Sequence, residues 1–419
     1  MLIVVVLGVA VGVYAWQDNK TTEKRGSAKE EFVTTAEPEQ KPVPRPQNPR
    51  PWPTYAFDRE RTHISPYRHR PLFKEIWRVD GHDTLEFPPA VGYGRVFLAQ
   101  QKGLFFALRV KSGRANWKKK TGRCAASSPT VGDGIVYQAY MDFVPCPQAR
   151  PGATGYLIAW DALTGKRIWK WNNAPIESSP LLVKGTLYVG TWDHGIYAID
   201  AKTGRRKWRF GADDEVNTSA AFWKGTVYIA SDGGTVYALN ARTGRLRWKA
   251  EGANEFFYAT PTIAYGRVYI GSTDGTMYVY GAKSGKLLWA RPLGTYIYGA
   301  AAVYKRRVFV GTYDGSFYAL DAATGDVRWK IAAPGAVHAA PTVMRGLVYY
   351  STCSSCGSAA QRSVKQGPDG TYAVRARNGK EVWRFNAGKY ASAVVADSKR
   401  MYLTGRSYLF AFHPKGASR

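Results

Sequence analysis

Tyr269 to Trp289 read YIGSTDGTMYVYGAKSGKLLW, and the chain writes nearly the same line several times over. TYDGSFYALDAATGDVRW at 312–329, ASDGGTVYALNARTGRLRW at 230–248 and GTWDHGIYAIDAKTGRRKW at 190–208 share its order of apolar runs, turns and final Trp. That Trp recurs at 77, 117, 169, 208, 248, 289, 329 and 383, at spacings mostly near 40. A period of this size marks a repeat architecture. Each copy reads as four short strands; in the fifth they are TPTIAYG, RVYIGS, TMYVYG and KLLWAR. D-G and K-S-G turns join the later pairs, as tight antiparallel connections require.

One such sheet is too small to stand alone, whereas radial stacking buries both faces of every blade. The landmark Trp becomes a wedge between blades, its indole N–H satisfied by the backbone of the preceding turn. After Trp383 only three strands follow, near ASAVVAD, RMYLTG and SYLFAF, while LFKEIWRV at 72–79 carries the fourth-strand pattern ahead of the first full unit. The expected fold is all-β: an eight-bladed β-propeller of four-stranded antiparallel blades over 67–415. Its last blade is completed by an N-terminal strand, so no sheet edge is left free.

The 419 residues are 45% apolar and 14% aromatic, which excludes wholesale disorder. A formal charge of +28 allows an anionic partner. Lys166, Arg205, Arg245, Lys286 and Lys380 each follow a T/S/N-G turn, and the repeat is expected to spread them around the molecule rather than gather them in one patch. No helix-turn-helix or zinc-finger spacing supports specific nucleic-acid recognition. MLIVVVLGVAVGVYAW at 1–16 reads as a signal anchor or uncleaved signal segment that places the folded body outside the cytoplasmic membrane. Residues 17–66, charged and then proline-rich through KPVPRPQNPRPWP, read as an extended linker.

The motif A-x-D-A-x-T-G-x-x-x-W, as Ala198-Ile199-Asp200-Ala201-Lys202-Thr203-Gly204 and Trp208, resembles the tryptophan-docking repeat of the pyrroloquinoline-quinone-type β-propellers. The likeness covers about 68–413. The superfamily holds quinone-dependent alcohol and sugar dehydrogenases as well as non-enzymatic outer-membrane assembly factors of the BamB type, which match in blade count and length. For the enzymes, the resemblance implies a calcium held by a Glu and an Asn, an Asp base, and often two adjacent cysteines against the quinone ring. Glu177, in IESSP, loosely matches the calcium Glu, and Asn217 and Asn254 are possible amide ligands. No adjacent Cys-Cys pair and no C-x-x-C-H haem signature exist. Asp193, Asp232, Asp274 and Asp314, each before or near Gly, read as turn caps.

The loops entering each blade should gather at one mouth of the channel. They concentrate aromatic and acidic residues: Phe256, Phe257, Tyr258, Tyr296, Tyr298 and Tyr390, with Trp192 and Tyr313 in neighbouring turns, beside Glu177, Asp213, Asp214, Glu215 and Glu255, and with His338. Aromatics at an interface centre commonly supply binding energy. Cys124 and Cys146 should come together through a loop and an insertion of the second unit, leaving Cys353 and Cys356 to close a local loop, as suits an oxidising compartment. The leading reading is a non-enzymatic, membrane-tethered extracytoplasmic scaffold. It would need no cofactor and would use the mouth for an envelope protein or anionic envelope polymer. The alternative is a calcium- and pyrroloquinoline-quinone-dependent alcohol or sugar dehydrogenase. A third reading is a carbohydrate or small-ligand binding module.

Overall fold

The computed structural model describes residues 23–33, 51–146, 152–253, 255–354, 356, 367–386 and 394–414. Eight four-stranded antiparallel sheets form the ring, and the inner strands of successive blades adjoin. In blade 5 the strands run outward as a (Thr262–Ala264), b (Arg267–Gly271), c (Thr276–Gly281) and d (Leu287–Pro292). Strands a to c of this blade are wholly buried, because neighbouring blades cover both faces. By contrast, the outer strand of blade 6, Val327–Ala332, exposes alternate residues to solvent. The core is correspondingly layered between blades. Tyr269, Met277 and Val279 of blade 5 pack with Val308, Val310 and Leu320 of blade 6.

Blade 8 takes Val395–Ala396, Met401–Gly405 and Tyr408–Pro414 from the end of the chain and Phe73–Asp80 from its start. Phe73 pairs with Pro414 and Asp80 with Tyr408, so the ring closes as the sequence leads one to expect.

The repeated motif is the joint between blades. Trp208 donates its indole N–H to the Ala241 carbonyl at 3.0 Å, Trp248 to Ala282 at 3.1 Å and Trp169 to Ala201 at 3.0 Å. Each acceptor lies in the c–d turn of the next blade. The bond therefore crosses the gap rather than reaching back to the turn before the same Trp. The turn Gly lies under the ring: a Cβ on Gly244 would stand 2.7 Å from Trp208 Cδ2, and its φ of +72° also favours glycine. Asp200 shapes the turn by accepting the N–H groups of Lys202 and Thr203.

One expectation is corrected. Residues 51–66, read as linker, line the inside of the ring instead. The N–H groups of Val91, Val131, Phe222, Ile263, Val303 and Val343, on the inner strands of blades 1, 2, 4, 5, 6 and 7, donate to the carbonyls of Trp52, Pro53, Arg59, Glu60, Thr62 and His63. The segment thus circles the channel in chain order. Arg61, fully buried, donates to the Ala220 carbonyl at 2.9 Å and to Ser179 of blade 3 at 3.4 Å. His69 bonds the Asp397 carbonyl of blade 8 at 2.7 Å. The physical reason is the inner-strand N–H row, which needs acceptors once it is enclosed; proline has lost its donor but keeps its carbonyl. Residues 23–33 lie on turns of blades 5 and 6, where buried Arg267 donates to the carbonyls of Ser27, Glu30 and Glu31. No helix among the described residues is long and apolar enough to cross a membrane; the apolar segment 1–16 lies outside them.

Candidate functional site

Loops from the d strand of one blade to the a strand of the next meet above the channel segment. Together with Tyr55 from that segment they enclose a cavity of about 440 Å³, lined among others by Glu86, Glu177, Asn217, Tyr258, Tyr298 and His338. A second, outer cavity of about 600 Å³ is lined by Asp214, Asp232, Glu255, Phe256 and Tyr296, and shares Tyr258 and Tyr298 with the first. The shared wall is a stack. The Tyr258 and Tyr298 rings lie 5.2 Å apart at 14°, and Tyr298 lies 5.5 Å from His338 at 23°.

No lysine or arginine lines either cavity among the described residues. On a chain of charge +28 this leaves the mouth locally acidic, and the carboxyls show it. Burial pushes Glu177 up to about 8, with Glu86, Asp232 and Glu215 adding to the shift and the Trp192 indole, 3.3 Å away, opposing it. Burial also raises Glu86 to about 7. Asp232 rises to about 7 through burial, against the 2.8 Å bond from Asn217 Nδ2 and with help from Glu215 and Asp214. Asp232 Oδ1 and Asn217 Oδ1 are buried without a hydrogen-bond partner. Burial lowers His338 to about 4, which makes it neutral at pH 7; its Nδ1 meets the Tyr313 hydroxyl. A desolvated group of carboxyls with tyrosine faces beside it suits a cation or a donor-rich polar ligand.

Asp232 departs from the turn-cap reading. Asp193, Asp274 and Asp314 do cap their b–c turns, as the bonds from Thr191 and Tyr197 to Asp193 and from Ser316 N–H to Asp314 show. In blade 4 the turn reads S-D-G-G-T, one place out of step. Gly233 therefore takes the capping position, and Asp232 takes the place held by Trp192 in blade 3 and Tyr313 in blade 6. Asp213 reaches in from the preceding loop to do the capping, accepting from Ser231 and Thr235. A Cβ on Gly233 would stand 2.9 Å from the Asp213 carboxyl carbon. Asp213 is thus a turn clamp rather than a face residue.

The other expected residues divide. Glu177, Glu255, Phe256, Tyr258, Tyr296, Tyr298 and His338 line the two cavities. Trp192 and Tyr313 support them from behind. Phe257 is buried in the core against Tyr278, not presented at the mouth. Glu215 sits behind Asn217 and acts on the cavity through its charge. Tyr390 and Asn254 lie outside the described residues. Glu86 and Tyr55 were not legible as site residues: one precedes an unremarkable Phe-Pro-Pro and the other lies in the stretch read as linker. Cys124 is disulfide-bonded to Cys146, and Cys353 to Cys356.

The fold and its acidic, tyrosine-walled mouth define an eight-bladed propeller of the quinoprotein-like class. The chain belongs to the family described as outer membrane protein assembly factor BamB, whose model matches residues 74–142, 149–223, 214–295 and 280–417. Among solved structures it is similar to BamB from Moraxella catarrhalis, with 16% identity and a TM-score of 0.65 over 83% of this chain and 100% of that one. A europium-containing methanol dehydrogenase gives 14% identity and a TM-score of 0.67 over 88% and 98%. Likeness at this identity shows the fold alone. Two curated relatives are enzymes. The lanthanide-dependent methanol dehydrogenase of Methylacidiphilum fumariolicum is 30% identical over 112 residues, which is 26% of this chain and 17% of that protein. The quinohemoprotein alcohol dehydrogenase of Comamonas testosteroni is 31% identical over 140 residues, 32% and 20% of the two chains. The chain thus spans about a fifth of the length of these relatives.

The enzymes' cofactor can be tested against the residues present. Pyrroloquinoline quinone is a tricarboxylate, and neither cavity offers it a cation among the described residues. Calcium takes six to eight oxygen ligands. Glu177 and Asn217 share the inner cavity, but no three His, Cys, Asp or Glu side chains converge as a metal set among the described residues. This lining does not fit the pair.

Proposed function

We propose that this chain is a non-enzymatic, membrane-tethered propeller of the extracytoplasmic space whose channel mouth seats a cationic segment of an envelope protein. The observation that carries the reading is the composition of the mouth: Glu86, Glu177, Asp214, Asp232 and Glu255 around stacked Tyr258 and Tyr298, with no cation among the described lining. A lysine or arginine side chain entering there would pair with the poorly solvated carboxyls and lie on tyrosine faces. The same composition argues against an anionic envelope polymer at this mouth. Family membership supports the periplasmic setting and an assembly role.

The dehydrogenase reading has its own support. Glu177 and Asn217 line one cavity beneath the Tyr258–Tyr298 stack, and the dehydrogenase relatives match at least as well as the assembly factor does. One calorimetric experiment separates the two. The full chain and the Glu177→Gln/Asp232→Asn variant are titrated with an oligo-arginine peptide, then with pyrroloquinoline quinone plus calcium. Saturable peptide binding that weakens at least tenfold in the variant supports the scaffold. Saturable quinone binding installs the dehydrogenase. Silence with both probes removes the mouth from either role.

A further inference from the structure

The face opposite the mouth carries a third cavity, of about 600 Å³, between blades 6 and 7. Arg70, Lys305, Arg307, Arg345, Arg375 and Arg377 line it, and no carboxylate does among the described residues. None of the six makes an ion pair there among the described residues; the Arg345 guanidinium donates to the Arg68 carbonyl at 3.1 Å. Partial desolvation, with Arg70 and Arg68 close by, lowers Arg345 from the ordinary arginine value. Arg307 Nε is buried without an acceptor. Six like charges around one hollow are mutually unfavourable unless an anion enters it.

The fold explains the crowding. In blades 1 to 7 the a–b turn hydrogen-bonds the c–d turn of the same blade, as Ala322 N–H to Arg306 O and Ala376 N–H to Gly346 O show. All these turns therefore share one face: Lys166, Arg205, Arg245, Lys286 and Lys380 lie on it one to a blade, and the hollow's cations come from the turns of blades 6 and 7 together with Arg70.

Two features say which anion. The hollow also has an apolar side: Leu72 is 68% exposed and Val382 is 37% exposed beside the cations. And the N-terminal arm, 23–33, is docked on the adjoining turns of this same face, with Phe32 stacked on Tyr265 and the Arg306 guanidinium over its ring. That arm begins a few residues after the apolar stretch 1–16. We propose that this face lies against a bilayer and that the blade 6–7 hollow seats the headgroup of an anionic phospholipid, with Leu72 reaching the acyl boundary. Cations beside an apolar contact are what an anionic lipid surface selects. The proposal is independent of what the mouth binds.

The test is flotation of the full chain with phosphatidylcholine vesicles and with vesicles that also contain phosphatidylglycerol. Residues 1–16 carry no charged side chain and so give no preference between the two vesicle types. The expected result is preferential binding to the anionic vesicles, lowered about 30-fold in Arg345→Ser/Arg377→Ser, since each cation near such a surface is worth about fivefold. Arg345→Lys/Arg377→Lys should retain most of the preference, and Leu72→Ser should weaken binding. Melting curves matching the parent's confirm that the variants are folded. Equal binding to both vesicle types overturns the proposal. So does an equal loss in Lys118→Ser/Lys120→Ser, which removes the same charge from blade 1 and would reveal a net-charge effect only. Release of the parent from vesicles by glycerol 1-phosphate at unchanged ionic strength would assign the hollow to a soluble phosphate and overturn the lipid assignment.

Discussion

At the scale of single residues, the mouth is governed by where a carboxyl can be solvated. Glu177 and Glu86 have no lysine or arginine beside them among the described residues, so enclosure costs their charged forms water without returning a partner. The sign of the consequence follows. Glu177 holds its proton up to about pH 8 when folded, against an ordinary value of 4.5, so the folded state binds more protons than the unfolded chain across that window. Stability therefore falls as pH rises through it. Glu177→Gln should raise stability by up to about 4 kcal/mol at pH 8 and change it little at pH 4, read by thermal melting at both values. A variant equally stabilising at both pH values would show that packing, not charge, sets the effect. Asp213 and Asp232 teach the same lesson from sequence: they are alike in type, and a single-residue offset in one turn makes one a clamp and the other a cavity wall.

At the scale of elements, the blade joint is a ring seated on a glycine. Gly244→Ala meets two penalties, the left-handed φ of +72° and the Trp208 ring 2.7 Å from the new Cβ. Gly225→Ala meets only the first: its φ is +76°, and the nearest atom is a flexible arginine terminus 3.9 Å away. Urea unfolding should place the Gly225 variant about 1 kcal/mol below the parent and the Gly244 variant roughly 3 kcal/mol or more below it. Equal losses would mean that the indole yields without cost and that the joint is not the wedge described. The channel segment is an element of another kind. It belongs to no blade, and its order comes from inner-strand N–H groups on six blades together with the Arg61 guanidinium.

At the scale of the whole molecule, the ring is closed by Phe73–Asp80 completing blade 8 and held by residues 52–65 circling the channel, while two disulfides tie local loops. Cys124–Cys146 spans 22 residues and Cys353–Cys356 only three. Loop-closure entropy makes the longer one worth about 3 kcal/mol and the shorter about half that. Cys124→Ala/Cys146→Ala should therefore reproduce most of the stability lost on full reduction, measured by denaturant midpoint. A larger loss in Cys353→Ala/Cys356→Ala would invert that order. The same closure sorts charge by face. Loops between blades and the b–c turn of blade 4 carry the acids to the mouth, while a–b and c–d turns carry the cations to the opposite side.

What the sequence determined by itself is whatever recurs. Blade number, strand order, the Trp wedge between blades and the closing strand at 73–80 are all written in periodic copies or in the one copy that comes up short, though not the next-blade turn that the Trp bonds. A period reports local geometry, and a propeller is local geometry repeated. Cys124 and Cys146 were also legible, since the loops that hold them follow from blade topology. What only the tertiary structure decided is whatever occurs once. Glu86 and Glu177 are distant along the chain and share a cavity, with Asp232 in the wall of the adjoining one, because the ring brings their loops together. Residues 51–66 resemble a linker in composition, for proline and polar residues say nothing about which N–H groups their carbonyls will meet. The cations looked dispersed for a related reason: even spacing along the chain becomes a single face when every repeat turns the same way around one axis.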